Sequence, residues 1–162
     1  MYMIAHPGKK LNFMGSEFGQ LREWDEKREQ DWDMLKYPMH DSFREYVKTL
    51  NGIYLRYTAL HYDYDPTNFM WEDCSSNDRC VYAIRRKSAE GDILAVLNFS
   101  DWFQFDYSVN IGAEYKAELL LDSDDQLYSG TTPHGDTKFV CGNGRLNMDI
   151  PPFSGRMFLL TK

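Results

Sequence analysis

The spacing of apolar side chains changes along the chain, and the change separates the first 62 residues from the remainder. In the first part, apolar residues recur at three- and four-residue intervals: Phe43, Val47, Leu50, Tyr54 and Tyr57. This period predicts a helix over residues 41–57. Ser42 and Glu45 have the spacing of a capping box, which places the start of the helix near Asp41.

Beyond a turn-forming stretch at residues 63–68, apolar residues fall into short runs separated by turn signals. These runs predict strands at residues 69–73, 80–87, 93–99, 106–111, 115–121, 138–141, 146–150 and 156–161. Residues 88–92 and 142–144 have the composition of hairpin loops. Short antiparallel strands at this density favour a β-sandwich.

One predicted strand is apolar on both sides. Val81 and Ala83 alternate with Tyr82 and Ile84, and successive strand residues point to opposite faces. We therefore expect both faces of this strand to be covered.

The rest of the first part gives fewer signals. Residues 1–5 precede His6-Pro7-Gly8, which stops a helix, so they are typical of a helix tail. Residues 10–15 (KLNFMG) predict a short buried strand. Residues 16–37 are polar and without a clear period, and a loop of this length is usually functional when it is ordered.

A strand, a loop and one helix cannot bury a core alone, because a strand of the parallel type needs both faces covered. Residues 1–62 are therefore interpreted as the last unit of a larger α/β domain whose other units lie upstream. On this interpretation the chain has two parts, residues 1–62 and a sandwich domain at residues 63–162.

Composition excludes several classes of function. The 18 basic and 25 acidic residues give a net charge of −7, and no basic stripe is present, so a nucleic-acid partner is not expected. No apolar stretch has the length of a membrane span, so no membrane partner is expected. The three cysteines lack metal-type spacing and predict reduced thiols in the cytoplasm. Aromatic residues make up 15% of the chain, which fits either a β-rich core or surfaces that stack on sugar rings.

An ordered series of motifs closely resembles bacterial glycogen branching enzymes. It comprises HPGKKLNFMGSEFGQ at residues 6–20, REW at 22–24, DW at 31–32, LNxxY at 50–54, ALH at 59–61, DPxxFxW at 65–71 and NF at 98–99. The series spans almost the whole chain. It departs from the family pattern at Ser16, where the family usually has Asn, and the last strands match by pattern more than by motif.

The resemblance implies a mainly β chain: a C-terminal antiparallel β-sandwich preceded by the last βα unit of an incomplete (β/α)₈ barrel. Residues 10–15 would be the eighth barrel strand and residues 41–57 the eighth helix. The long loop between them would lie on the C-terminal face of the barrel, where such barrels place their substrate sites. The family cuts an α-1,4-linked glucan and transfers the segment to a 6-hydroxyl, which creates an α-1,6 branch.

The resemblance also implies that the catalytic groups lie outside this chain. Retaining transfer needs a nucleophilic carboxylate and an acid/base carboxylate about 5 Å apart. The family carries these groups on earlier barrel strands, so this chain is expected to contain no catalytic residue and to be inactive alone. No metal or other cofactor is expected. The acidic run at residues 122–125 lacks an EF-hand spacing and is interpreted as a solvated turn.

Four residues are candidates for substrate contact in an intact enzyme: Glu17, Trp24, Trp32 and Trp71. Glu17 either orients groups on the catalytic face or is a structural carboxylate, and we expect it to be exposed or re-paired in this chain. Trp24 and Trp32 either contact glucan or anchor their loop by packing. Trp71 lies on the same side of its strand as Phe69, and either faces the core or forms a glucan platform.

Three functional interpretations remain open at this point. The chain is the C-terminal part of a branching enzyme, a carbohydrate-binding module that grips glucan through Trp71 or Trp102, or a purely structural sandwich. The expected partner of the parent enzyme is an α-glucan such as glycogen. We also expect self-association through apolar surfaces of residues 1–62 that would face a barrel.

Overall fold

The structure is a computed structural model, and it describes residues 1–75, 78–135 and 138–162. Its two α-helices are α1 (Tyr2–Ala5) and α2 (Pro38–Arg56). Short 3₁₀ turns occur at Trp32–Lys36, Thr58–Leu60, Pro66–Asn68 and Gln126–Tyr128. The strands are β1 (Phe69–Asp73), β2 (Val81–Arg86), β3 (Asp92–Asn98), β4 (Gln104–Asn110), β5 (Lys116–Asp122), β6 (Phe139–Gly142), β7 (Arg145–Ile150) and β8 (Gly155–Thr161).

The strands form two antiparallel sheets of unequal size. The larger sheet has the order β1-β2-β3-β8-β5, and the smaller has the order β4-β7-β6. The eight strands predicted beyond residue 68 are all present, with ends within two residues of the prediction. The mainly β architecture is therefore confirmed.

The apolar core of the sandwich lies between the two sheets. The larger sheet contributes Val81, Ala83, Leu94, Val96, Phe158 and Leu160, and the smaller sheet contributes Tyr107, Val109, Leu146, Met148 and Ile150. These positions alternate along their strands, as expected for sheets that each present one face to the core.

The outer face of the larger sheet is also covered. Ile84, Ile93 and Met157 pack against residues of the first part of the chain, namely Ile4, Ala5, Leu50, Ile53, Ala59 and Leu60. Helices α1 and α2 therefore form a third layer on the sandwich. The expectation that the strand containing Val81 to Ile84 has two covered sides is confirmed.

The prediction of a strand at residues 10–15 is wrong for this structure. Residues 11–13 have no regular structure, and a turn begins at Met14. A strand is stable only when its N–H and C=O groups pair with a neighbouring strand. The described residues place no strand beside residues 10–15, so the assignment of a barrel strand stays a prediction.

The helix predicted over residues 41–57 is confirmed, but it begins earlier, at Pro38. Proline is favoured at the first helical position because its missing N–H needs no partner there. The capping-box prediction is wrong: Ser42 lies inside the helix, and its hydroxyl donates to the Met39 carbonyl at 3.1 Å.

The hairpin predicted at residues 142–144 connects β6 to β7. Asn143 and Gly144 have φ values of 52° and 74°, the left-handed conformation that tight two-residue hairpin turns require. Within the described residues, no helix combines the length and the apolar character needed to cross a bilayer.

Candidate functional site

The loop predicted to carry substrate contacts is held by specific interactions. Phe18 is fully buried, and Trp32 packs on its ring at a centroid distance of 5.0 Å. Arg22 donates from Nη2 to Asp31 Oδ1 at 2.9 Å, and Gln20 Oε1 accepts from the Asp31 backbone N–H at 2.8 Å. Hydrogen bonds from Arg22 lower the pKa of the Asp31 carboxyl. The loop is thus closed by a surface ion pair and an aromatic anchor.

Glu17 is half-buried and lies two positions after the left-handed Gly15. Among the described residues, no ion pair to its carboxylate is found. The expectation that Glu17 is exposed or re-paired in this chain, and its role in an intact enzyme, stay predictions.

Trp24 and Trp32 each expose almost half of their surface. Trp24 is 48% exposed and meets Phe13 edge-on at 5.6 Å, and Trp32 is 45% exposed. Both indoles therefore anchor the loop with one part and leave another part open to solvent. For each ring, the observed exposure is compatible with packing against the loop and with contact to a ligand.

Trp71 belongs to a cluster of rings on the outer side of β1. It meets Phe69 at 5.4 Å, Tyr82 at 6.2 Å and His6 at 6.2 Å. Phe69 and Trp71 lie on the same side of the strand, as the alternation predicted. Trp71 is half-buried, so it contributes to the packing between the sandwich and α1 while part of the ring stays accessible.

A buried arginine ties the first part of the chain to the sandwich. Arg86 is fully buried; it donates to Asn68 Oδ1 at 2.7 Å, to the Ala5 carbonyl at 3.2 Å and to Asp63 Oδ1 at 3.4 Å. Asp63 also pairs with Lys10 at 3.5 Å. Burial lowers the pKa of the Arg86 guanidinium, and the Asp63 carboxylate opposes this effect.

A second charged cluster lies at the other side of the sheet, and the sequence predictions missed it. Arg85 Nε lies 2.5 Å from Glu72 Oε1, and Arg85 Nη1 lies 3.6 Å from Asp92 Oδ2. Burial raises the pKa of the Glu72 carboxyl, and the Arg85 charge partly offsets this. The cluster lines a cavity of about 1010 Å³ at one end of the sandwich, hereafter the end cavity.

The signal for the end cavity was present in the sequence. Positions 81, 83 and 85 point to the same face of β2, and the third of them is an arginine. Asp92 likewise stands in register with the core residue Leu160. Charged residues at inward positions indicate that the apolar core ends there and that the interior becomes polar.

Trp102 is 73% exposed on a turn whose backbone is fixed by a buried asparagine. Asn98 Nδ2 donates to the Trp102 carbonyl at 2.8 Å and to the Pro151 carbonyl at 2.9 Å. Phe153, 73% exposed, lies on the joined segment and donates its N–H to the Ser100 carbonyl. An accessible aromatic surface therefore exists at this end of the sandwich.

The interpretation of residues 122–125 as a solvated turn is wrong, because Asp122 and Asp125 are buried and the carboxylates of the run make structural interactions. Asp122 pairs with Arg156 at 2.9 Å, Asp124 accepts hydrogen bonds from Thr131 and Thr132, and Asp125 accepts from the Leu127 backbone N–H. In the parts of the chain that the structure describes, no group of acidic, histidine or cysteine side chains has the arrangement of a metal site.

Comparison with known proteins assigns the sandwich. Residues 71–161 match the family described as alpha amylase, C-terminal all-beta domain. The chain belongs to this family. The alpha-amylase C-terminal all-beta domain accounts for more than half of the chain, and it includes all the strands described above except the start of β1.

The curated relatives extend the similarity to the first part of the chain. The 1,4-alpha-glucan branching enzyme of Aquifex aeolicus is 38% identical over 99% of this chain, and that of Bacillus caldolyticus is 36% identical over 94%. The resemblance to branching enzymes is therefore confirmed. The chain spans 25% and 24% of the length of these two relatives.

Solved structures support the fold. An alpha-amylase from H. orenii has a TM-score of 0.55 at 17% identity, and covers 82% of this chain and 23% of its own. Bacillus licheniformis trehalose-6-phosphate hydrolase has a TM-score of 0.52 at 20% identity, with 82% and 20% covered. At these identities the likeness concerns the architecture alone.

Proposed function

We propose that this chain is the C-terminal part of a 1,4-α-glucan branching enzyme, whose glycosyl transfer creates α-1,6 branches in glycogen. The observation that carries the proposal is that similarity to branching enzymes covers 99% of the chain. It includes residues 1–70, which lie outside the family match at residues 71–161. A sandwich that served only as a binding module would not need the similarity to extend over the loop and helix of the first part.

The surface of the first part supports the same proposal. Large apolar side chains are exposed there, among them Leu11 at 73%, Leu21 at 84%, Met39 at 66% and Leu55 at 74%. Several large apolar side chains exposed in one part of a chain are expected where another domain covers that part. We propose that the barrel of the intact enzyme covers it. In this chain alone we expect self-association instead, which light scattering would detect as a mass above 19.1 kDa.

The chain alone is proposed to be inactive. Transfer with retention needs two free carboxylates, one to attack the anomeric carbon and one to protonate the leaving oxygen. Glu72 and Asp92 are close together in the end cavity, but Arg85 lies between them and pairs with both. Because Arg85 lies between the two carboxylates, they cannot flank a glycosidic bond, so this cluster is proposed to be structural or ligand-binding.

Within the intact enzyme, Glu17, Trp24, Trp32 and Trp71 are proposed to contribute to substrate binding. The partly exposed indoles offer apolar faces to sugar rings, and Glu17 offers an acceptor to hydroxyl groups. A location in the cytoplasm is proposed, because the three cysteines of the chain lack metal-type spacing and would stay reduced there.

A chimera tests the proposed function. The Aquifex aeolicus branching enzyme, with its matching quarter replaced by this chain, should form α-1,6 branches, measured as reducing ends released by a debranching enzyme. The same enzyme without that quarter and this chain alone should both give background values. Branch formation by the chain alone, or an inactive but folded chimera, would contradict the proposal.

A second candidate, a stand-alone carbohydrate-binding module, is favoured by the exposed Trp102. The two candidates differ in one measurement. If the chain binds glycogen tightly while the folded chimera forms no branches, the binding module is the better assignment.

A further inference from the structure

The loop that follows β5 has a fixed shape of its own. It comprises residues 124–132, hereafter the β5 loop, all of which the structure describes. The Asp124 carboxylate accepts hydrogen bonds from the Thr131 hydroxyl at 2.7 Å, the Thr132 hydroxyl at 2.7 Å and the Thr132 backbone N–H at 2.9 Å. Hydrogen bonds to a carboxylate are stronger than those between neutral groups, and these three join the two ends of the loop.

The tip of the β5 loop lies against one face of α2. Ser129 Oγ is 2.7 Å from Ser42 Oγ. The Tyr128 ring meets the Tyr46 ring edge-on at 5.5 Å, and the Tyr128 hydroxyl donates to Thr49 Oγ1 at 3.2 Å. The three helix residues are spaced by four and three positions, which puts them on the same face of the helix. The sandwich therefore contacts α2 along two turns through this loop.

The apolar core holds only the second half of α2. Leu50 and Ile53 are the buried residues of this helix, and none of residues 38–49 is buried. The first half of the helix must therefore be fixed by contacts on its surface. From the sandwich, the β5 loop supplies such contacts.

The first half of α2 also holds the long loop at residues 16–37, hereafter the substrate loop. His40 Nδ1 lies 2.9 Å from the Phe18 carbonyl oxygen. Phe43 Cδ1 lies 3.7 Å from the position that a Cβ on Gly19 would occupy. The substrate loop and the β5 loop are therefore both attached to the same stretch of helix.

Two stacked rings connect the β5 loop to the substrate loop. Phe43 stacks on Tyr46 at a centroid distance of 6.0 Å, and Tyr46 meets Tyr128. On the other side, the Phe18 ring carries Trp32, one of the candidates for substrate contact. Close-packed side chains pass a displacement to their neighbours because little free volume separates them. The position of Trp32 therefore depends on Tyr128.

We propose that Tyr128 and Ser129 are positioning residues, which hold the first half of α2 and thereby fix the substrate loop in the intact enzyme. This role rests on the proposed function, since it concerns how the sandwich supports glycosyl transfer. Loops that follow barrel strands form the substrate sites of such barrels, and a small displacement of groups that orient a substrate lowers the efficiency of the reaction. The sandwich thus acts on the reaction without touching the substrate.

Hydrogen exchange, measured by nuclear magnetic resonance on the full chain, tests the coupling directly. Tyr128→Ala should raise the exchange rates of the Ser16 and Gln20 amides about three- to tenfold, because the ring contact with α2 is lost. These amides donate to the Phe13 and Gly15 carbonyls, so they report on the order of the substrate loop. The amides of β3, in the centre of the larger sheet, should exchange at unchanged rates.

Three further variants control this measurement. Tyr128→Phe keeps the ring and should restore most of the protection. Tyr64→Ala is the matched control, because this tyrosine is 86% exposed, and its loss should leave the rates unchanged. Ser42→Ala removes only a hydroxyl on the surface of the helix, so it cannot unfold the sandwich, and it should raise the rates about two- to threefold.

The Aquifex aeolicus chimera tests the consequence for the reaction. Tyr128→Ala in the chimera should raise KM for the glucan about three- to tenfold and leave kcat within about twofold, because a looser substrate loop binds the ground state and the transition state less tightly alike. A purely structural Tyr128 would instead reduce the amount of active enzyme, which lowers the measured kcat and leaves KM unchanged. Tyr128→Phe should restore KM.

The outcomes separate this role from the proposed function. Unchanged exchange of the Ser16 and Gln20 amides in both Tyr128→Ala and Ser42→Ala would overturn the role, and so would an unchanged KM in the Tyr128→Ala chimera. If Tyr128→Ala does not fold, Ser42→Ala decides by the same two measurements. An unmodified chimera that forms no branches contradicts the proposed function instead, and exchange in the chain alone then still decides whether the β5 loop holds the substrate loop.

Discussion

Replacement of the buried Arg86 by methionine should destabilise the fold strongly. The change removes donors to Asn68, to the Ala5 carbonyl and to Asp63, and it leaves three acceptors without this partner. Breaking a buried ion pair costs about 3–5 kcal/mol. Asp63 keeps its contact with Lys10, so we expect the lower end, about 3 kcal/mol.

Urea denaturation followed by circular dichroism measures this loss as a change in the free energy of unfolding. In a chain of this size, about 3 kcal/mol corresponds to a fall in Tm of about 6–12 °C. Arg28→Met is the control, because Arg28 is exposed and its loss should change the free energy by no more than about 0.5 kcal/mol. The double variant Arg86→Met with Asp63→Asn should lose less than the sum of the single variants.

A loss below about 1 kcal/mol in Arg86→Met would refute this reasoning. It would mean that α1 and the segment around Asn68 dock onto the sheet through apolar contacts alone. If the losses in the double variant are additive, Arg86 and Asp63 do not stabilise each other. The loss of stability in Arg86→Met would then come from its hydrogen bonds to Asn68 and to the Ala5 carbonyl.

Two further predictions concern other buried polar groups. Burial raises the pKa of Tyr46 from 10.0 to about 12, so the neutral phenol is favoured in the fold; its contribution to stability should be complete below pH 10 and be lost between pH 10 and about 12. Ultraviolet titration should show one late-ionising tyrosine fewer in Tyr46→Phe, and an unchanged titration would contradict the assignment. Asn98→Ala should cost about 2–3 kcal/mol in urea denaturation, because the buried carbonyls of Ile150 and Pro151 lose their donor. The exposed Asn110→Ala is its control, and equal losses in the two variants would contradict the role of Asn98.

The strands were predictable because their signals are local. Alternating apolar residues and turn-forming residues are read from neighbours in sequence, and β1 agrees with its prediction at both ends. The strand at residues 10–15 failed for the opposite reason, since a strand depends on a partner that local sequence does not contain. The start of α2 failed because two start signals competed, and Pro38 took precedence over Ser42.

The candidate site was predictable only in part. Trp24, Trp32 and Trp71 were identified from motifs, and their half-exposed placement is compatible with either interpretation of each ring. The end cavity was missed because its residues come from distant segments, such as Tyr62, Asp92 and Lys162. Only the register of the sheet brings them together, although Arg85 at an inward position of β2 was a usable signal.

The central strand β3 is buried along its entire length, with Leu94 turned to the smaller sheet and Ile93 turned to the helices. A gene fragment that encoded only the match at residues 71–161 would therefore leave one side of this sheet bare. The sandwich therefore depends on α1 and α2 to cover the outer face of its larger sheet. A transplanted sandwich that keeps β3 covered on both sides should therefore begin ahead of α1 instead of at the start of β1.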